Sequence, residues 1–111
     1  MKKLVLSEEA QIRQEKFGQF MDLIGLSERS ILNYLEAIRT CSMMVSYSLS
    51  QKGYESIYDI TDPDEIRYIQ QVLEQNPEYI EINQKGHNRH SSGIANYIKF
   101  LDFLFIFAKK K

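Results

Sequence analysis

The chain has 111 residues, of which 43% are hydrophobic and 26% are charged, and its net charge is −1. These values predict one globular domain with its own core, exclude a scaffold that depends on disulfides, and carry no compositional signature of nucleic-acid binding. Residues 1–50 hold six basic and six acidic groups, residues 51–86 hold three and eight (net −5), and residues 87–111 hold five and one (net +4). A polyanionic partner would therefore favour the last segment over the middle.

Cysteine use and hydropathy predict a reduced, cytoplasmic protein. Cys41 is the single cysteine, so it cannot form an internal disulfide, and its apolar helical surroundings predict a buried thiol. The apolar run after the first lysines is too short for a secretory signal. Residues 100–108 are apolar but too few to cross a bilayer, and they include Asp102. We therefore expect no membrane partner.

The first half of the chain predicts two helices joined as a hairpin. Ser7 can cap a helix over residues 8–24, and Gly25 ends it in the left-handed position that glycine favours. Ser27 then caps a second helix over residues 28–49, and so short a joint forces the two helices to fold back on each other. The apolar face of the first helix comprises Phe17, Phe20, Met21 and Ile24.

The middle of the chain predicts a loop and two shorter helices. Residues 54–61 are too irregular for a strand, and their apolar side chains, Ile57, Tyr58 and Ile60, are expected to fill the core. A third helix over residues 63–75 begins at the cap residue Asp62, with Glu65 reaching back as in a capping box. A fourth helix covers residues 77–84.

The last predicted helix, over residues 88–108, is amphipathic at its start and apolar on all sides at its end. The stripe expected to pack in the core comprises His90, Ile94, Tyr97, Ile98, Leu101, Leu104, Phe105 and Ala108. A second apolar group lies off this stripe and comprises Phe100, Phe103, Ile106 and Phe107. Burial by the other helices of this chain would explain that group. Burial against a second copy or a following catalytic domain is the interpretation we favour, because the stripe already serves the core.

The residue types used in catalysis form no recognisable site. His87 and His90 have no spaced cluster of further metal ligands, so we expect the first in a turn and the second at the edge of the core. The carboxylates Asp62, Asp64 and Glu65 are explained by helix capping and the helix dipole. Cys41 lies in mid-helix, where no helix N-terminus activates it. We therefore predict no catalytic residue, no metal and no cofactor.

Two polar helix faces are suited to a nucleic-acid backbone. The first comprises Arg29, Asn33 and Thr40 on the second helix, and the second comprises Arg89, Ser92, Asn96 and Lys99 at the start of the last helix. Free backbone N–H groups at that helix start would also favour phosphate. Taken alone, the residues leave open that both are ordinary solvated faces.

The hairpin and the last helix resemble a known family. Residues 17–21 (FGQFM) and 25–39 (GLSERSILNYLEAIR) resemble the first helical hairpin of the N-terminal core-binding domain of phage integrases, the tyrosine recombinases. Residues 58–66 and 97–104 are similar to the second hairpin of that domain. A similar module precedes nuclease domains in some restriction-type proteins, and the last helix is similar to that version as well.

The resemblance implies a four-helix, SAM-like bundle of two crossed hairpins that grips one side of a DNA duplex. With the helices predicted above, we expect an all-α bundle of four to five helices in a single domain over residues 1–111. The DNA-binding positions that the resemblance carries over are Arg29, Asn33, Thr40, Arg89, Ser92, Asn96 and Lys99. The catalytic arginines, His-x-x-Arg motif and nucleophilic tyrosine of recombinases have no match here, which predicts a non-catalytic module that binds duplex DNA. The alternative is a protein-interaction or dimerisation module, or the N-terminal module of a restriction-type nuclease, that uses the aromatic last helix.

Overall fold

A computed structural model describes residues 4–109, with side chains through residue 106, and confirms an all-α fold over that range. The described chain contains six α-helices and one 3-10 turn: α1 Glu8–Leu23, α2 Glu28–Met44, α3 Ser46–Gln51, the turn Ile57–Asp59, α4 Pro63–Glu74, α5 Pro77–Lys85 and α6 Arg89–Lys109. Across residues 4–109, no helix combines the length and apolarity that a membrane span requires. The arrangement as two crossed hairpins of SAM-like type stays a prediction.

Local capping sets the start and end of the first hairpin as the sequence predicts. The Ser7 hydroxyl accepts a hydrogen bond from the N–H of Ala10 at 3.1 Å, and the Ser27 hydroxyl accepts one from the N–H of Ser30 at 3.2 Å. Each bond satisfies one of the N–H groups that a helix start leaves without an intrahelical partner. Gly25 lies between them at φ 91°, the conformation that stops α1 and turns the chain.

The capping box predicted for α4 is only half formed. The Asp62 carboxylate accepts a hydrogen bond from the N–H of Asp64 at 2.9 Å, as expected of a cap. Glu65 instead accepts a hydrogen bond from the Tyr54 hydroxyl at 2.9 Å. The carboxylate therefore ties the preceding loop to α4, a tertiary role that local sequence does not reveal.

The prediction of a single helix over residues 28–49 was wrong. The helix is interrupted at Val45 (φ −113°, ψ 25°), which separates α2 from α3. The buried Ser42 hydroxyl donates to the carbonyl of Ile38 at 2.8 Å and accepts from the N–H of Ile57 at 2.9 Å. A serine that bonds the carbonyl four residues back often bends a helix. Here the same hydroxyl also holds the 3-10 turn, so the break is associated with a tertiary contact.

The prediction that the loop at residues 54–61 fills the core is confirmed. Its three large apolar side chains, Ile57, Tyr58 and Ile60, are fully buried. The Tyr58 hydroxyl donates to the carbonyl of Leu35 at 3.0 Å, and the Tyr58 carbonyl accepts from the Arg13 guanidinium at 2.6 Å. The turn is thereby fixed to both helices of the first hairpin.

Helix α6 is the central element, since it contacts α1, α2, α4 and α5 and packs most extensively on α2. The rings of Phe17, Tyr58, Tyr97 and Phe100 form an aromatic cluster between α1, the 3-10 turn and α6. Tyr97 meets Phe17 and Tyr58 edge-on, at centroid distances of 5.2 and 5.6 Å, and Phe17 meets Phe100 at 5.5 Å. Such pairs are worth about 0.5–1.5 kcal/mol each beyond their buried area. One continuous core receives residues from every described helix.

The predicted faces of α1 and α6 need correction at their C-terminal ends. Phe100 is only 1% exposed, so its assignment to an outward interface was wrong, and it belongs to the aromatic cluster. Leu104 and Phe105 were predicted in the core but are 37% and 59% exposed, and Ile24, predicted on the apolar face of the first helix, is 46% exposed just after α1. The reason is that α1 ends at Leu23, whereas α6 continues for several more residues. The predictions for Phe107 and Ala108 fall outside the described side chains.

Gly93 permits the close crossing of α6 and α2. A Cβ built at Gly93 would lie 3.2 Å from the Cβ of Ala37 and 3.5 Å from the carbonyl oxygen of Tyr34. The first distance is tighter than ordinary packing, and a Cβ atom cannot move without its helix. A side chain at this position would therefore push the two helices apart.

We expect Gly93→Ala to lower the free energy of unfolding by about 1 kcal/mol, because overpacking outweighs the helix propensity that alanine adds. Gly18→Ala is the matched control, since its Cβ would meet the flexible end of Leu35 at an ordinary 3.7 Å. That control should gain about 0.5–1 kcal/mol. Urea denaturation of both variants measures the difference, and an equal gain in both would show that α2 and α6 do not approach this closely.

Tyr97→Phe tests the polar contact inside the aromatic cluster. The Tyr97 hydroxyl donates to the carbonyl of Ile60 at 3.0 Å in a buried position. Its removal leaves that carbonyl without a partner, which should cost about 1–2 kcal/mol in urea denaturation. Tyr68→Phe, at a side chain that is 47% exposed, should stay within about 0.5 kcal/mol of the wild type.

Candidate nucleic-acid interface

The two polar faces predicted separately meet in one shallow cleft. The cleft has a volume of about 230 Å³ and lies where α2 faces the α5–α6 turn and the start of α6. Its lining residues are Ser30, Asn33, Tyr34, Gly86, His87, Arg89 and Ser92. Three predicted residues, Asn33, Arg89 and Ser92, are therefore brought together. The close crossing at Gly93, one residue after Ser92, determines how near the two faces lie.

The turn before α6 is held by Asn83 of α5. The Asn83 side chain accepts from the N–H of Ser91 at 3.0 Å and donates to the Ser91 hydroxyl at 3.3 Å. The backbone carbonyl of Asn83 accepts a hydrogen bond from the N–H of Asn88 at 2.8 Å. These bonds tie the last turn of α5 to the first turn of α6, so the direction of α6 at the cleft is set by a side chain outside the cleft.

Two consecutive residues of this turn adopt left-handed backbone conformations. His87 has φ 53° and Asn88 has φ 65°, whereas Gly86, which the sequence marks as the helix end, has φ −92°. Asparagine tolerates this region better than most residues, and histidine is also enriched there. Such strain persists only where neighbouring contacts enforce it, and here the Asn83 network supplies them.

The start of α6 offers fewer free N–H groups than predicted. The N–H of Arg89 donates to the carbonyl of Gly86 at 3.1 Å, and that of Ser92 donates to the carbonyl of Asn88 at 2.9 Å. The N–H of Ser91 is occupied by Asn83. The first turn of α6 nevertheless contains no acidic residue, unlike those of α1, α2, α4 and α5, so the positive end of its dipole is not neutralised locally.

His90 lies beneath the cleft, at the core edge where the sequence places it. It is 7% exposed, and its Nδ1 has no hydrogen-bond partner within the described chain. A Cβ at the cleft residue Gly86 would lie 3.9 Å from this nitrogen. Burial, with a smaller contribution from the charge of Arg89, lowers the pKa of the imidazole. His90 is therefore neutral near pH 7, and His87, as predicted, lies in the exposed turn.

Basic side chains in the described part of the chain divide into two groups. The first group contacts protein oxygens or carboxylates and comprises Arg13, Arg39, Lys52, Arg67 and Lys85. The second group has no ion pair or hydrogen bond among the described residues and comprises Lys16, Arg29, Arg89 and Lys99. The second group includes all three cations predicted to bind DNA.

The remaining predicted residues do not line the cleft. Arg29 and Lys99 are exposed, and Thr40 is half-buried. The Asn96 side chain donates to the carbonyl of Ser92 at 2.9 Å, so its amide is partly occupied within α6. The contribution of these residues to binding stays a prediction.

Sequence reasoning missed four cleft residues, namely Ser30, Tyr34, Gly86 and His87. Ser30 precedes Asn33 by three positions, so helical spacing could have included it. Tyr34 lies one position after Asn33 and is half-buried. Gly86 and His87 join the cleft only because of the left-handed turn, for which the sequence carries no clear signal.

The cysteine and the carboxylates near the start of α4 take part in packing, capping and ion pairing. Cys41 is fully buried, and burial raises the pKa of its thiol to about 12, so the prediction of a buried thiol is confirmed. Asp64 pairs with Arg67 at 3.0 Å. Among the described residues, no group of three or more potential metal ligands comes together.

Comparisons with known proteins give no match to a family model, a curated protein or a solved structure. The resemblance to integrase core-binding domains therefore stays a prediction.

The lowered pKa of His90 predicts an acid-sensitive fold. The unfolded chain has an ordinary histidine pKa of 6.5 and binds the proton more readily, so the contribution of His90 is fully present above that pH. It is lost as the pH falls through 6.5 and through the folded-state pKa. Urea denaturation between about pH 7.5 and 5 should show this decline in the wild type and in His87→Gln. In His90→Gln the decline should be smaller, and an unchanged slope there would contradict the assignment.

Proposed function

We propose that this chain is a non-catalytic helical module that binds the phosphate backbone of duplex DNA through the cleft between α2 and the start of α6. The observation that carries the proposal is that Arg89, which has no ion-pair partner among the described residues, lies in that cleft with Asn33 and Ser92. A guanidinium, an amide and a hydroxyl are side chains that proteins use on phosphate oxygens.

The electrostatics around the cleft favour an anion. Arg89 is the first residue of α6, and the uncompensated positive end of the helix dipole lies beside it. Arg29, near the start of α2, and Lys99, further along α6, extend the positive charge beyond the cleft. A cation at a helix N-terminus is unfavourable for the helix itself. This placement is readily explained if a bound anion compensates both the charge of Arg89 and the positive end of the helix dipole.

The same charges limit the strength of binding. Few cations are involved, and residues 51–86 carry a net charge of −5 that repels the rest of the duplex. Contacts would be to phosphates, without readout of base sequence, and strongly weakened by salt. This mode agrees with what the integrase-like resemblance implies, a grip on one side of the duplex with strand cleavage left to another domain.

A non-catalytic role is part of the proposal. It is supported by the inert surroundings of Cys41 and by the structural use of the carboxylates near α4. A reduced, cytoplasmic setting is proposed with it, in keeping with a single cysteine held as a buried thiol.

Fluorescence anisotropy with a labelled duplex tests the proposal. Wild-type protein should bind at low salt, with an association constant that falls linearly with salt on logarithmic axes. Arg89→Ala should weaken binding and reduce that slope by about one. Combining it with Lys99→Ala should weaken binding further.

Lys85→Ala is the matched control. It also removes one positive charge near the α5–α6 turn, but Lys85 already pairs with Glu81 at 2.9 Å. Binding should change much less than in Arg89→Ala. Equal losses of binding in the two variants would show that binding depends on net charge alone and not on the cleft. Absence of binding at low salt would refute the proposal.

A further inference from the structure

Four side chains that line the cleft between α2 and the start of α6 have hydrogen-bond donors that the described chain leaves unused. The Asn33 amide, the Arg89 guanidinium and the Ser92 hydroxyl form no hydrogen bond among the described residues. The Ser30 hydroxyl accepts a hydrogen bond from the Ser27 hydroxyl at 3.1 Å, which leaves its own proton free to donate. None of the seven lining residues is acidic. The cleft therefore combines donors from two helices with no negative charge that would repel an anion.

A further unpaired polar atom is buried beside these groups. His90 is only 7% exposed, and its Nδ1 has no hydrogen-bond partner among the described residues. Buried polar atoms are nearly always paired with protein, ordered water or a ligand, because an unpaired one is costly. A Cβ at the cleft residue Gly86 would lie 3.9 Å from this Nδ1 and 3.6 Å from the Cβ of Arg89. The space that a side chain at position 86 would fill is therefore adjacent to both.

The cleft is small for a site that binds nucleic acid. Its volume is about 230 Å³, which is below the roughly 300–1,000 Å³ of sites that enclose drug-sized ligands. A phosphate group fills roughly the space of two or three water molecules, at about 30 Å³ each. The group and the sugar next to it therefore occupy most of the cleft. A phosphate inside a DNA strand must enter between two sugars, whereas a phosphate at a strand end is attached to only one.

The number of donors also favours a phosphate at a strand end. A phosphodiester inside a strand has two unesterified oxygens and a single negative charge. A terminal phosphate monoester has three such oxygens and a charge of about −1.5 to −2 near pH 7. Five donor groups, two of which carry more than one N–H, suit three oxygens better than two. The larger charge also gains more from the guanidinium of Arg89 and from the positive end of the α6 dipole.

We propose, on the basis of the DNA binding proposed above, that this cleft selects the phosphate monoester at a DNA end. Arg89 and Asn33 donate to its oxygens from the α6 and α2 sides of the cleft, and the hydroxyls of Ser30 and Ser92 add further bonds. His90 donates through Nδ1, in the tautomer that carries its proton there. The module then prefers a duplex that ends in a phosphate to one that ends in a hydroxyl.

Fluorescence anisotropy with three short blunt duplexes of one sequence tests this selection. Each duplex carries an internal fluorophore, and the three end in 5′-phosphates, in 3′-phosphates or in hydroxyls only. At low salt, wild-type protein should bind at least one phosphorylated duplex about tenfold more tightly than the hydroxyl duplex, because charge-assisted hydrogen bonds are stronger than neutral ones. The preferred duplex identifies which end of the strand enters the cleft.

The outcomes of this comparison separate the two proposals without any substitution. Equal affinity for all three duplexes would overturn the selection of DNA ends and leave the proposed DNA binding intact. Absence of binding to all three would refute the DNA binding itself, and the selection with it. A phosphoserine peptide that competes as strongly as the phosphorylated duplex would show that the cleft recognises phosphoproteins, and would overturn its assignment to DNA ends.

Two substitutions connect the selection to the atoms of the cleft. Gly86→Ala places a methyl group beside Nδ1 of His90, and His90→Leu removes that donor. In each variant, the ratio of the affinities for the phosphorylated and hydroxyl duplexes should fall toward one. Gly18→Ala is the matched control, since it adds a methyl group on α1 outside the cleft, and it should keep the wild-type ratio. An unchanged ratio in both cleft variants, shown by circular dichroism to be folded, would contradict the assignment.

Discussion

At the crossing of α2 and α6, the missing side chain of Gly93 brings the backbone of α6 within contact distance of Ala37 and Tyr34. Elsewhere on α6, Tyr97 and Phe100 are packed among the rings of α1 and the 3-10 turn. Helix α6 is thus held by a close backbone contact in one direction and by aromatic packing in another. Because α2 and α6 are fixed to each other in this way, the packing beside the cleft sets the distance between their polar faces.

Positively and negatively charged side chains lie on different parts of the surface. Arg29 and Arg89, which have no ion pair among the described residues, lie at the starts of α2 and α6, whereas carboxylates surround the loop after α3 and the start of α4. The proposed DNA contact uses the first region.

The predicted caps, which rest on neighbouring residues, are confirmed, whereas the break after α2 and the outward face of α6, which depend on distant residues, were predicted wrongly. The caps at Ser7, Ser27 and Asp62 lie where predicted, because capping is chemistry between residues two or three positions apart. The break at Val45 was missed, because it accompanies a bond from Ser42 to the 3-10 turn. Phe100 was predicted on the outward face of α6, because its packing partner Phe17 is distant in the sequence. A single apolar stripe with a 3.6-residue period accounts for one packing partner, whereas α6 packs against α1, α2, α4, α5 and the 3-10 turn.

The sequence by itself determined the helical class, the helix starts capped by Ser7, Ser27 and Asp62, the core-filling loop and the burial of Cys41, since each follows from local periodicity, capping or apolar composition. Only the tertiary structure decided which polar residues share a cleft. Asn33 and Arg89 are far apart in the chain, and their proximity depends on the close approach at Gly93 and on the left-handed turn at His87 and Asn88. Neither feature can be recognised from neighbouring residues in the sequence. The close approach depends on two helices that are distant in the chain, and the left-handed turn is held by hydrogen bonds to Asn83.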